Sequence, residues 1–101
     1  IDIKYDQVLV GEGKALKIFY TGEKMQIVGL SVESGNIQKA AQLKIIRNER
    51  VAGTGKVENL KEGAYEVNQV EEGKECGIQY KGDTRIDVSD KLEFYMTVER
   101  K

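Results

Sequence analysis

Glycine punctuates this chain from end to end and proline never occurs, and that spacing limits the fold before anything else does. Short apolar runs fall between the glycines: Ala15–Tyr20, Met25–Val32, Leu43–Ile46, Lys56–Leu60, Cys76–Tyr80 and Leu92–Val98. Several alternate, so that Leu92, Phe94 and Met96, or Val57 and Asn59, point to one face at period two. Runs of this length with turn residues between them predict an all-β domain, a small antiparallel barrel or sandwich. "IIRNERVAG" reads as a hairpin turning at Asn48-Glu49, and "FYTGEKMQI" as another with Gly22 supplying the bend. Closure into a barrel would remove the open edges of such short strands. Phe19, Ile27, Leu43, Ile45, Val57, Ile78 and Leu92 are then the expected core.

Two segments are open. In "IQKAAQLKII", Ile37, Ala40, Ala41 and Ile45 fit helical spacing almost as well as a strand, and Ala-Ala favours helix by propensity. "LKEGAYEVNQVEEGKE" has room for a single helical turn. No repeat, linker or low-complexity stretch divides the chain, so residues 1–101 read as one domain.

A chain of 101 residues buries roughly two-thirds of its unfolded surface, enough for one modest core. Hydrophobic residues make up 40% and charged residues 33%, an ordinary globular balance. No apolar run approaches the ~18 residues of a membrane span, and no basic-then-apolar leader opens the chain. The net charge of −1 lacks the basic excess by which proteins grip long nucleic acids, although a local contact with one end or one nucleotide needs none. A single cysteine forms no internal disulfide, so a reducing, cytoplasmic setting and a monomer are expected.

Histidine is absent, which removes the commonest general base and metal ligand together. "GTGK" at Gly53–Lys56 suggests a phosphate loop, but Arg50 stands where the first glycine is needed and Val57 where the metal-binding hydroxyl belongs. A strand whose glycines ease a close backbone approach is the better reading. Asp83, Asp87, Asp90 and Glu93 lack the spacing of a calcium loop and read as solvated acids. Cys76 has neither base nor cation beside it, and Glu75 would raise its pKa. A small buried hydrophobe explains it without catalysis. Neither an enzyme nor a metal site is expected, and the residues alone lead to a small β domain that binds.

The order of segments adds a resemblance. "YDQVLVGEGKALKIF", "IVGLSVESGNIQKAAQLKIIR", "GKVENLK", "EEGKECGI" and "IDVSDKLEFY" follow one another as in the C-terminal domain of bacterial-type translation initiation factor two. The chain resembles that domain from about residue 5 to residue 98. The "V..G.I......L.IIR" pattern is shared with domain two of elongation factor Tu, whereas "NLK" followed by "GKECGI" is more specific. The resemblance implies a closed six-stranded antiparallel barrel, with "IQKAAQLKII" as turn then strand. It implies the C-terminal part of a larger translational GTPase, which would hold GTP and magnesium elsewhere and act on the ribosome. It also implies a pocket for formyl-methionine and the 3′ end of initiator tRNA. By position, the matching residues are Lys61, Glu75, Cys76 and Gly77, with Gly29 and Val28 on the neighbouring strand, and Leu30 occupies a further pocket position.

Departures from the family pattern bear on that pocket. Leu30 stands where the family has a cysteine, and Glu62-Gly63 where it commonly has arginine and tyrosine. A glutamate repels phosphate and a glycine stacks on no base, so weaker binding is expected. Ser89 replaces a glycine before Asp90, which concerns a turn. The competing expectation is a structural or protein-interaction barrel of a translational GTPase without contact to tRNA.

Overall fold

The computed structural model describes residues 4–100 and is all-β, with no helix among the described residues. Eight strands follow in order: β1 (Lys4–Gly22), β2 (Met25–Gln38), β3 (Gln42–Arg47), β4 (Arg50–Glu62), β5 (Tyr65–Glu66), β6 (Gln69–Glu71), β7 (Glu75–Gly82) and β8 (Lys91–Arg100). Antiparallel pairing runs β1-β8-β3-β4-β7-β2, and β2 pairs back onto β1, so six strands make a ring. The six apolar runs of the sequence lie in these six strands. β5 and β6 are short additions on β4 and β2, and they occupy the segment where a helical turn was conceivable.

Side chains alternate across the ring. Val28, Leu30 and Val32 of β2, Cys76, Ile78 and Tyr80 of β7, and Leu92 and Phe94 of β8 point inward and are buried. Each fully buried Leu, Ile or Phe contributes about 2 kcal/mol through water removed from apolar surface. Leu43, Ile45, Val57, Ile78 and Leu92 are core as expected, but Phe19 is 60% exposed and Ile27 is 38% exposed. From Gln26 to Val32 the inward side chains of β2 are the even-numbered ones, which puts Ile27 outside. Phe19 is turned out by a bulge described below. A further bulge between Val57 and Asn59 shifts β4 by one residue, so Leu60 joins Val57 inside and Asn59 faces out.

Turn chemistry differs between the two expected hairpins. Asn48 and Glu49 both have positive φ, 54° and 63°, between the paired Arg47 and Arg50. Two left-handed residues match the twist of the flanking strands. At the other hairpin Gly22 is paired with Met25 and is the last residue of its strand, while Lys24 takes the left-handed conformation at φ 57°. "IQKAAQLKII" contains the end of β2, a turn with Ala40 at φ 70°, and the start of β3. "GTGK" lies inside β4, where a Cβ on Gly55 would fall 2.1 Å from the Tyr80 ring. The glycine there makes room for the largest side chain of the core.

Asp90 is not a solvated acid. It is 6% exposed, and its carboxylate accepts bonds from Arg47 Nη2 at 2.6 Å, Arg47 Nε at 3.1 Å and the Asp87 amide at 2.8 Å. Burial alone would raise its pKa, but the Arg47 bonds and charge and the Asp87 amide together hold it below the usual carboxylate value. Asp87 lies 3.2 Å from the same guanidinium, and Asp83 lies 3.9 Å from Lys24.

Candidate functional site

The outer face of β1, β2, β7 and β4 carries a groove of about 650 Å³. Its geometry begins with one row of the sheet. Lys17 pairs with Gly29, Gly29 with Gly77, and Gly77 with Lys61, so two glycines form a floor between two lysines. Three strand spacings separate the lysine backbones, about 14 Å. A Cβ at Gly77 would meet only the Val28 carbonyl oxygen at 3.9 Å, so this part of the floor is open. At Gly29 a Cβ would come 2.8 Å from the Phe19 ring, which lies over that glycine.

The walls come from irregularities in β1. Register shifts between Ala15 and Lys17 and between Ile18 and Tyr20 leave Leu16 and Phe19 without partners on β2. An extra residue in one strand bends it and re-aims side chains. Both unpaired residues are apolar, exposed and in contact with the groove. Lys17 Nζ lies 5.2 Å from the centre of the Phe19 ring.

Leu30, Gly29, Lys61, Glu75, Cys76 and Gly77, scattered over three strands, all line this groove. Leu30 and Cys76 are buried and form its inner boundary, whereas Lys61 and Glu75 are exposed on its rim. Val28 is fully buried in the core and does not line it. Glu62 lies outside the lining and is 3.6 Å from Lys74, while Gly63 reaches the rim with φ 63°. The lining residues that sequence reasoning missed are Leu16, Lys17, Phe19, Ile27, Asn59, Gln79 and Ile78, the last expected only as core. A signal was present: the apolar doublets Ala15-Leu16 and Ile18-Phe19 break the alternation, and each doublet marks a bulge.

Cys76 reports the electrostatics of the floor. Burial pushes its thiol up to about 12, with the nearby charge of Glu62 as the second cause. Glu75, its neighbour in sequence, is not among those causes. A thiol held neutral is a poor nucleophile. Chemically the groove offers an apolar floor, one aromatic wall, two lysines at its sides and the Glu75 carboxylate on its rim.

A ring of six antiparallel strands with an open groove on its outer face defines a small all-β domain, and the sequence relatives specify which kind. Translation initiation factor IF-2 of Mycoplasmopsis synoviae is 33% identical over 93% of this chain. The factor of the same name from Thermotoga petrophila is 34% identical over 87%, and that from Mycoplasma pneumoniae 33% over 90%. The chain is homologous to this segment of IF-2, the region related to domain two of elongation factor Tu. It spans 16%, 13% and 15% of the lengths of these three relatives. No family model matches the chain.

Proposed function

We propose that the groove receives the formyl-methionyl acceptor end of initiator tRNA, within an initiation factor that works on the ribosome. In this reading the ring of strands is a closed barrel of the translation-factor type, and GTP with its magnesium ion is held in another part of the parent protein. The observation that carries the reading is the Lys17-Gly29-Gly77-Lys61 row lying against the buried apolar boundary of Leu30 and Cys76. Desolvation penalises a buried charge of either sign, so an α-ammonium loses more on entry than a formamide. Glu62 acts in the opposite sense, because its carboxylate would attract an ammonium, but burial is the larger influence on the thiol. The backbone at Gly77 is open to a ligand amide because no side chain covers it.

Equilibrium titration with formylated and unformylated initiator tRNA tests this, and tighter binding of the formylated form is expected. Gly77→Leu should block the groove with little effect on folding, since its side chain would enter open space. Glu62→Arg should tighten binding and steepen its salt dependence by adding a cation beside the rim. A tyrosine at position 63 is less informative, because φ 63° strains any residue but glycine. Equal binding of the two tRNA forms, or none even with Glu62→Arg, removes the reading and leaves a structural or protein-interaction module.

A further inference from the structure

Away from the groove, the outer face of β3, β4 and β7 carries lysines in neighbouring rows. In one row Gln42 pairs with Lys56 and Lys56 with Lys81, and in the next Lys44 pairs with Thr54. Alternation turns these side chains outward, because Leu43, Ile45, Val57 and Tyr80 beside them are buried. Lys56 and Lys81, both exposed, are therefore like charges directly opposite each other on adjacent strands, an arrangement that destabilises a sheet. No salt bridge among the described residues engages Lys44, Lys56 or Lys81. Glu93, the partner of Lys44 on β8, accepts the Tyr95 hydroxyl at 2.8 Å and lies 4.0 Å from Lys91. Asp83 lies 3.9 Å from Lys24, and Glu58 stands unpaired in the β4 bulge. Gln42, Lys44, Thr54 and Lys56 border a cleft of about 360 Å³ that shares no residue with the groove.

We propose that this face holds the phosphate backbone of a nucleic-acid duplex, RNA for a chain related to translation factors, at a second site separate from the groove. Lys44, Lys56 and Lys81 stand on three adjacent strands whose backbones span about 10 Å. Over that length one strand of a duplex presents about three phosphates. An anion set between Lys56 and Lys81 turns their repulsion into attraction, which gives the opposed pair a purpose. The Thr54 hydroxyl and the Gln42 amide, whose Oε1 already accepts a bond from Gln7, add uncharged donors between the lysines. A backbone fits better than an unstacked base. Tyr95, the aromatic residue of the cleft, has the Lys44 ammonium 4.5 Å from its ring centre, so its ring is already covered. Bases need an open ring to stack on, whereas phosphates need only donors and cations. The net charge of −1 does not oppose such a contact, because the attraction is local.

The probe is a blunt RNA hairpin of about 16 base pairs, without acyl group or unpaired acceptor end, titrated by fluorescence anisotropy from low salt upward. Wild type should bind saturably, with log affinity falling against log salt at a slope of about −2 to −3. Lys56→Gln combined with Lys81→Gln should weaken binding about tenfold or more at low salt and flatten the slope by about two. Lys44→Gln should flatten it by about one. Lys74→Gln removes a lysine that is 3.6 Å from Glu62, just before β7, and should leave binding unchanged. Urea unfolding establishes that each variant folds, and Lys81→Gln should raise the midpoint at low salt because the opposed charges are gone. If the double variant binds the hairpin like wild type, or Lys74→Gln weakens binding as much, the proposal is overturned. Binding to phosphatidylserine vesicles but not to the hairpin overturns it in favour of a membrane surface. The hairpin carries no formyl-methionyl end, so failure here leaves the acceptor-end reading standing, and failure of that reading leaves this face untouched.

Discussion

Cys76 and Asp90 are equally buried, each 6% exposed, yet their titrations move in opposite senses. The Cys76 thiol is driven up because burial dominates and the nearest influential charge, Glu62, is negative. The Asp90 carboxyl is driven down because Arg47 and the Asp87 amide outweigh burial. Depth therefore does not decide the charge state of a group; the partner does. In the clasp around Asp90 the carboxylate is met by Arg47 and the Asp87 amide. The groove around Cys76 has an apolar floor, exposed apolar walls, and lysines and the Glu75 carboxylate at the rim.

The contrast can be broken most sharply at the thiol. With a pKa of about 12 instead of 9.0, the thiolate fraction near pH 8 falls on the order of a thousandfold. Alkylation by iodoacetamide should be slower by about that factor in native protein than in urea, measured at one pH. A native rate within tenfold of the unfolded one would show that the floor is wet or mobile.

Asp90→Ala should cost roughly 2 kcal/mol in urea unfolding at neutral pH. The figure is discounted because the Arg47 side chain is 36% exposed and water recovers part of the loss. The pH dependence has a definite sign. A carboxyl lowered in the folded state stabilises above its unfolded pKa of ~3.9, and that contribution disappears as pH falls through the folded value. Unfolding curves from about pH 5 downward should be steeper for wild type than for Asp90→Asn. Parallel curves would mean that the clasp contributes no linked proton.

A smaller effect is expected between these regions, at the turn that delivers Asp90. Ser89 has φ 78° and its amide donates to the Ala15 carbonyl at 2.8 Å. Ser89→Gly keeps that bond and removes left-handed strain, offset in part by the flexibility glycine adds to the unfolded chain. A stabilisation of about 0.5 kcal/mol is expected in chemical denaturation. The smallest change belongs to the rim. Lys61→Ala should alter stability by less than about 0.5 kcal/mol, since the side chain is exposed. If Lys61→Ala destabilises as much as Asp90→Ala, the distinction between an ion-paired clasp and an open groove fails.

Local sequence determined the strands. Six apolar runs bounded by turn residues became the six strands of the ring, because period-two burial and left-handed turns at residues such as Asn48-Glu49 are properties of adjacent residues. The residues proposed for the groove were legible only through the resemblance of "GKECGI" and "NLK" to a known family. The chemistry of a lone cysteine already suggested a small buried hydrophobe at Cys76, and both Cys76 and Leu30 are buried. The wall of the groove was decided by tertiary structure. A bulge arises when two paired strands accommodate unequal numbers of residues, so the exposure of Leu16 and Phe19 depends on β2 as much as on β1. Asp90 could not be read locally either: the guanidinium that keeps it charged lies 43 positions away in sequence and meets it only when β3 and the turn before β8 are brought together. Pattern along the chain chooses which residues form strands; pairing across the ring chooses which side chains remain free to bind.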